Sequence, residues 1–234
     1  MAMHSKWING NLVYYDGQRW FDAIGPTAAK FIFNSAHVPL SGADALVGAT
    51  VTLVETGAGE TTLTAVGGWE GGALSITTDA ADNDGANIQF QEAFKFAAGK
   101  PLYFGIKLQA TEATQSDFMA GLCITNTNLL GGISDGAYFR KVDGATAIKW
   151  VLEKNTTETE STETVTFAND TDVWLEITWD GANADFYVNG EQKTRLAQTN
   201  LPDDEFLAPS LQFLSGSVGA KSCTVSRWAC IQIN

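Results

Sequence analysis

The chain is poor in the side chains that most often carry catalysis, with two histidines and three cysteines among its 234 residues. His4 and His37 both lie near the start of the chain, in a stretch whose pattern differs from the rest. The sequence contains no His-Glu-x-x-His and no Cys-x-x-Cys motif, which are the spacings of common zinc and redox sites. We also expect no Gly-x-Ser-x-Gly nucleophile elbow. These shortages predict a protein without catalytic residues or enzymatic activity.

Basic residues are also scarce, because 14 Lys and Arg stand against 27 Asp and Glu and give a formal net charge of −13. Nucleic-acid affinity depends on cations that face the phosphates, so this balance argues against nucleic-acid binding. No apolar run approaches the roughly 20 residues of a membrane-spanning helix. The opening MAMHSKWING lacks the apolar segment of a secretory signal. We therefore expect no nucleic-acid partner, no membrane association and no classical secretion.

The three cysteines, Cys123, Cys223 and Cys230, lie inside apolar, strand-like runs. Cys223 and Cys230 are seven positions apart, which on one strand places them on opposite faces and too far apart for a disulfide. The sequence predicts three buried, reduced thiols.

The strongest signal that is present is the period-two alternation of strands. Alternating runs recur about every ten residues from Ala49 onward, separated by turns rich in Gly, Asp and Asn. Many short strands at this spacing favour an all-β, antiparallel β-sandwich over alternating strands and helices. We predict an N-terminal arm and linker over residues 1–45 and one β-sandwich over residues 46–234. Helix is scarce; residues 26–31 and the segment around Glu112 are each a short helix or a loop.

The alternation is clearest in DVWLEITWDGANADFYVNGEQ, residues 172–192. Leu175, Ile177 and Trp179 fall on one face of an extended strand, and Trp174 falls on the other. Asp-Gly and Asn-Gly pairs then supply the turn signals of tight hairpins. The segment predicts a hairpin and a third strand, which form the inner wall of a sandwich.

Aromatic residues are concentrated in the first part of the chain, in WINGNLVYYDGQRWFDAIGPTAAKFIF. A hairpin this short has little core of its own, so its rings must be buried against another surface. We predict an interface formed by Trp7, Tyr14, Tyr15, Trp20 and Phe21. These rings pack either on the chain's own sandwich or on another chain, and the sequence leaves both alternatives open.

Two sets of carboxylates are candidates for chemistry. Glu176 and Asp180 share a strand face but lie about 13 Å apart at ~3.3 Å per residue, beyond the roughly 6.5–9.5 Å of an inverting glycosidase. We interpret them as solvated surface groups. In TTDAADNDGAN, Asp79, Asp82 and Asp84 make an oxygen-rich loop of the kind that binds Ca²⁺, although the spacing is not that of an EF-hand. The loop is a turn or a weak calcium site, and we expect no other metal and no cofactor.

Four segments, ALSITTD, PLYFGIKLQ, VWLEITWDGANADFYVNGEQ and KSCTVSRWACIQI, resemble in that order the strand series of laminin-G-like and concanavalin A-like jelly rolls. The resemblance covers residues 71–234 and implies a two-sheet jelly roll, preceded by an N-terminal hairpin or extended arm. Members that hydrolyse glucans carry a Glu-x-Asp-x-x-Glu strand, which this chain lacks. The resemblance therefore implies no hydrolytic site.

The segment GKPLYFGIKLQATEATQSDFMAGLCITNTNLLGGISDGAYFRKVDG is similar to structural proteins of tailed bacteriophages that decorate capsids. This resemblance implies a noncatalytic virion structural protein, made in the host cytoplasm and located on the capsid surface. It also implies the major capsid protein as partner and a homo-oligomer, expected as a trimer. The alternative on the same fold is a carbohydrate-binding, lectin-like module, such as a receptor-binding domain of a phage tail. Fold alone does not separate the two functions.

Overall fold

The computed structural model describes residues 4–8, 11–16, 19–24, 28–33, 40–42, 45–56, 59–69 and 72–233, and for residues 4–33 and 42 it describes the backbone alone. Strands β1 (His4–Ile8), β2 (Asn11–Asp16) and β3 (Arg19–Ile24) form a small antiparallel sheet in that order. Strand β4 (Ala28–Phe33) pairs instead with the last strand of the chain. Strands β5 (Leu40–Gly42) and β6 (Ala45–Leu46) pair with each other.

Two eight-stranded antiparallel sheets form the sandwich. The front sheet contains, in spatial order, β15 (Thr157–Glu160), β14 (Ala147–Lys154), β13 (Gly136–Lys141), β12 (Ser116–Cys123), β20 (Ala208–Ser215), β10 (Gly85–Gln89) and β7 (Thr50–Val54), with β16 (Val165–Thr166) beside β14. The back sheet contains β19 (Glu191–Gln192), β18 (Ala184–Val188), β17 (Val173–Trp179), β11 (Leu102–Ala110), β21 (Ser222–Ile233), β9 (Ala73–Thr77) and β8 (Thr62–Val66), with β4 beside β21. The predicted all-β antiparallel sandwich is confirmed.

The core lies between the two sheets because each strand turns alternate side chains inward. In β12, Phe118, Ala120 and Leu122 enter the core, whereas Met119 and Cys123 belong to a second apolar cluster on the outer face. Phe139 of the front sheet meets Phe186 of the back sheet edge to face, with ring centroids 5.3 Å apart. Each fully buried ring of this kind stabilises the fold by roughly 1.5–3 kcal/mol relative to exposure.

The predicted hairpin has the predicted orientation. Leu175, Ile177 and Trp179 are all buried in the core and pair with β18, which is followed by the short strand β19. The turn into β19 places Asn189 at φ 53° and Gly190 at φ 79°, the positive values that a two-residue hairpin turn requires. This part of the sequence is therefore scaffold.

Helices are short, as expected, but they do not occupy the two candidate segments. Residues 28–33 form strand β4, so a helix at residues 26–31 is wrong there, because the segment gains backbone bonds from β21. The segment around Glu112 is a loop. The described helices are α1 (Leu129–Gly132) and a 3-10 turn (Gln198–Asn200), and within the described residues no helix is long and apolar enough to cross a bilayer.

The predicted division at residue 45 falls immediately before Leu46, which is buried in the core. Strand β4 lies before that boundary and nevertheless extends the back sheet along Trp228–Ile233. The described part of the first 45 residues thus contributes β4 to the sandwich, forms the separate sheet β1–β2–β3, and supplies β5, which pairs with β6. Independent stability of residues 46–234 stays a prediction.

Candidate functional site

The two ends of the sandwich differ in the groups that they carry. Because β20 runs from Ala208 to Ser215, the loops before and after it lie at opposite ends. Strand pairing with β20 and its neighbours places residues 90–95, 124–135, 154–157 and 201–207 at one end, which we call the rim. It places residues 78–84, 111–117, 141–144 and 215–222 at the other, which we call the lysine end.

Near the rim, the outer face of the front sheet carries a row of buried polar side chains. Asn87 lies opposite Gln212 and Gln89 opposite Ser210 on strands β10 and β20, and all four are at most 4% exposed. They are buried although they face away from the core, because residues 124–135, which we call the strap, cross over them. Gln89 bonds the strap with both ends of its amide: Nε2 donates to the carbonyl of Ile124 at 3.1 Å, and Oε1 accepts from the N–H of Asn126 at 2.8 Å.

Two further amides hold the strap. Asn87 Nδ2 donates to the carbonyl of Asn126 at 2.6 Å, and Gln212 Oε1 accepts from the N–H of Leu130 in α1 at 2.8 Å. Leu129 and Ile133 of the strap then pack on the outward apolar side chains Met119, Cys123, Tyr138 and Val151. The strap thus covers two neighbouring parts of the outer face, the row of buried polar side chains and a small apolar cluster.

The Gly-x-Ser-x-Gly spacing occurs within the strap, as Gly132–Gly136, so the expectation that it is absent is wrong. In a nucleophile elbow the serine stands on a sharp turn between a strand and a helix. Here Ser134 follows the helical turn α1 and precedes a strand, and its hydroxyl donates to Asp135 Oδ2 at 2.7 Å. The serine has the context of a loop rather than that of a nucleophile.

Beside the strap, a charged cluster joins the last three strands of the front sheet. Tyr138 Oη donates to Glu153 at 2.8 Å and to Glu158 at 3.2 Å, and Arg140 holds Glu158 through two bonds of 2.7 and 2.8 Å. Burial raises the pKa of Glu153 above its ordinary range. Glu160 also bonds Arg140, and its pKa is lowered by its hydrogen bonds to Lys149 and Arg140, which outweigh burial. These bonds tie β13, β14 and β15 together.

Phe206 is the exposed aromatic residue among the described side chains, with 56% of its surface accessible. The ammonium of Lys95 lies 5.6 Å from its ring centroid and donates to the carbonyl of Asp204 at 2.8 Å. The backbone of Lys95 is itself held by the side-chain amide of Gln232. This arrangement fixes an apolar ring at the rim on a rigid support.

Acidic residues precede Phe206 in its loop and lie elsewhere on the rim. Lys154 bonds Asp203 at 2.6 Å and contacts Asp204 at 3.1 Å, and this bond lowers the pKa of Asp203. Glu205 is exposed and directly precedes Phe206 in the sequence, and Glu92 accepts from the N–H and hydroxyl of Thr125 in the strap. The rim is therefore rich in hydrogen-bond acceptors. Sequence reasoning missed Phe206, although an aromatic residue after three acids, outside any alternating run, was a usable signal.

At the lysine end, two buried ammonium groups bond backbone carbonyls. Lys141 Nζ donates to the carbonyl of Thr114 at 3.0 Å and also to that of Ser116, and burial lowers the pKa of Lys141 to about 8. Lys221 Nζ donates to the carbonyls of Ser217 and Gly219 at 2.7 and 2.9 Å. An open depression of about 370 Å³ lies beside Lys221 and Glu112.

The calcium candidates lie at this end but do not converge. Asp84 is fully buried, and its Oδ1 accepts from the N–H and hydroxyl of Thr56 at 2.6 and 2.8 Å. Asp82 is exposed and Asp79 partly buried. Among the residues that the structure describes, no three His, Cys, Asp or Glu side chains are placed to hold a metal ion.

The structure also locates the remaining candidates from the sequence, which are Glu176, Asp180 and the three cysteines. Glu176 is buried and accepts from Tyr103 Oη at 3.1 Å, so its interpretation as a solvated surface group is wrong: burial on the outer face of the back sheet removes it from water. Asp180 is exposed and accepts from two backbone N–H groups of its own turn, which lower its pKa. All three cysteines are buried free thiols, as predicted, and burial raises the pKa of Cys123 and Cys223 to about 12.

The predicted interface residues lie in the N-terminal strands: Trp7 in β1, Tyr14 and Tyr15 in β2, Trp20 and Phe21 in β3. Their side chains lie outside the part of the chain that the structure describes. Their role at an interface stays a prediction.

No protein-family model and no curated protein sequence matches the chain. Solved structures do resemble it. The CBM2 module of the evolved Dit of Lactobacillus casei BL23 phage J-1 is 11% identical, with a TM-score of 0.58 over 89% of this chain and 97% of that one. The potassium-bound carbohydrate recognition domain of Emp46p is 12% identical, with a TM-score of 0.54 over 85% and 97%.

A third similar structure belongs to work on endo-acting O-glycanases of the human gut microbiota and is 11% identical, with a TM-score of 0.56 over 87% of this chain and 99% of that one. At these identities the likeness concerns the fold. It confirms the concanavalin A-like, jelly-roll character of the sandwich that the sequence resemblance implied.

Proposed function

We propose that this chain is a noncatalytic carbohydrate-binding domain that binds a glycan at the rim. The observation that carries the proposal is Phe206, an exposed aromatic ring that lies against Lys95 in a loop with three exposed acidic residues. Specific sites combine apolar or aromatic surface with a few placed polar groups. The apolar face of a sugar ring can pack on an aromatic ring while its hydroxyls donate to neighbouring acceptors.

The fold likeness to a CBM2 module and to a carbohydrate recognition domain supports this proposal over the capsid-decoration hypothesis. The absence of catalysis is part of the proposal. On the front sheet, Glu153 and Glu158 both accept from Tyr138 and could be taken for a catalytic carboxylate pair. However, Tyr138 and Glu153 are buried, and Arg140 donates to both oxygens of Glu158.

The test is binding of the whole chain to a broad glycan array, followed by titration of the best ligand against Phe206→Ala. We expect at least a tenfold loss of affinity, about 1.4 kcal/mol, because the packing surface is removed. Val218→Ala is the matched control, since Val218 is 82% exposed at the lysine end. Retained affinity in Phe206→Ala would remove the rim as the site, and a wild-type chain that binds no glycan would remove the proposed function.

A second candidate function is the decoration of a phage capsid, with the major capsid protein as partner and a trimer as the expected form. The sheet β1–β2–β3, which carries five aromatic residues outside both sandwich sheets, favours it. Trp20→Ala should then weaken self-association, measured by sedimentation, while the melting temperature stays within about 2 °C of wild type. An unchanged sedimentation profile with a strongly lowered melting temperature would assign the ring to the chain's own core.

A further inference from the structure

We propose that the rim selects neutral glycans and rejects anionic ones such as sialylated or uronate-containing sugars. This inference rests on the proposed function and adds the chemical class of the ligand. It follows from the charged side chains of the rim, which the structure describes together with Phe206.

The two lysines of the rim, Lys95 and Lys154, already have partners. Lys95 lies over the ring and bonds the carbonyl of Asp204. Lys154, with 24% of its side chain exposed, lies between Asp203 and Asp204, whose side chains are 57% and 52% exposed. Each ammonium group has three donors and keeps at least one for a ligand, but the charge of Lys154 is already offset by Asp203 and Asp204.

The carboxylates, by contrast, are open to a ligand. Asp203 and Asp204 use Oδ1 for Lys154, and Glu92 uses Oε1 for Thr125. Glu205 is exposed in the same loop as Phe206. These four carboxylates carry four negative charges, and Lys95 and Lys154 carry two positive charges. The six residues together therefore have a net charge of −2.

A ligand for this surface must donate hydrogen bonds and carry no negative charge. Ionised carboxylates only accept hydrogen bonds, and sugar hydroxyls donate them. A sugar carboxylate placed about 6 Å from two uncompensated charges meets roughly 1–2 kcal/mol of repulsion in water, and salt screens this repulsion within a Debye length of about 10 Å at 0.1 M. Neutral sugars with adjacent free hydroxyls therefore fit, whereas anionic counterparts bind more weakly.

The experiment uses an array of matched pairs, each a neutral oligosaccharide and the same oligosaccharide extended by sialic acid or glucuronic acid. We expect the neutral member to bind at least fivefold more tightly at low salt, with the ratio falling as NaCl is raised, because the repulsion is screened. Glu205→Gln removes the charge and keeps one acceptor oxygen, so it should reduce the ratio about twofold. The matched control is Glu60→Gln, an exposed carboxylate just before strand β8 and remote from the rim in sequence.

The outcomes separate the two proposals. Tighter binding of the anionic member, or a ratio that does not respond to salt or to Glu205→Gln, would overturn the neutral-ligand inference and leave glycan binding in place. Failure of both members of every pair to bind would overturn glycan binding, and this inference with it.

Discussion

At the rim, side-chain amides of the sheet hold the crossing loop, whereas at the lysine end two ammonium groups do so. Amides both donate and accept, so Gln89 can bond a carbonyl and an N–H of the strap together. Ammonium groups only donate, so Lys141 and Lys221 collect carbonyls alone. The two buried ammonium groups therefore lie at the lysine end, whereas Asp203, Asp204 and Glu205 of the rim are exposed, where a ligand can reach them.

The largest effect should come from Lys141→Met, which keeps the length of the side chain and removes its donor. The carbonyls of Thr114 and Ser116 then stay buried without this partner, and we expect the free energy of unfolding to fall by about 3 kcal/mol. Denaturant titration measures it, with exposed Lys100→Met as the control. Equal stability of wild type and Lys141→Met would show that desolvation of the ammonium cancels its hydrogen bonds.

The next effect should come from Gln89→Leu at the rim. This change leaves the N–H of Asn126 and the carbonyl of Ile124 without their partner. We expect it to lower the free energy of unfolding by about 2 kcal/mol. Hydrogen exchange should accelerate within residues 124–135 by up to about 30-fold, the equivalent of that loss. Gln115→Leu at the lysine end should leave exchange in the strap unchanged. Uniform acceleration over the whole chain would mean that the strap does not open separately.

The architecture could be predicted from the sequence because alternation and turn pairs are local signals. Leu175, Ile177 and Trp179 showed their common face within five residues, and Asn189-Gly190 marked the turn that follows. Strand β4 was less clear, because AAKFIF suits a helix or a strand and only its partner β21 decides between them.

The rim could not be predicted, because its residues meet only through tertiary structure. Gln89 and Asn126 are 37 positions apart, and Lys95 and Asp204 are 109 apart. Alternation correctly turns Glu176 away from the core, but it cannot show that the outer face is covered there. The sequence of a single strand does not show whether another segment covers the polar groups on its outward face.

A smaller effect, one that depends on pH, should come from Glu153→Gln. Burial raises the pKa of Glu153 above 4.5 in the folded chain, so its favourable contribution is complete below pH 4.5 and is lost as the pH rises through the folded pKa. The free energy of unfolding of Glu153→Gln should therefore exceed that of wild type at pH 7, by less than the change expected for Gln89→Leu. This difference between the variant and wild type should vanish as the pH falls toward 4.5. Thermal melts from pH 4 to 8 measure it, with exposed Glu60→Gln as the control.

The smallest effect should come from removal of divalent metal ions, because the lysine end already has Lys141 and Lys221 as internal cations. Asp84 uses Oδ1 for Thr56, and the described side chains offer no group of three metal ligands. A site with a Kd near 1 mM at about 5 mM CaCl₂ would stabilise the fold by roughly 1 kcal/mol, or about 3 °C for a chain of this size. We expect melting temperatures in EDTA and in CaCl₂ to differ by less than about 2 °C. A larger rise that CaCl₂ produces, that MgCl₂ does not, and that disappears in Asp84→Asn would place a calcium ion at this end after all. The lysine end would then be held by a metal as well as by its two ammonium groups.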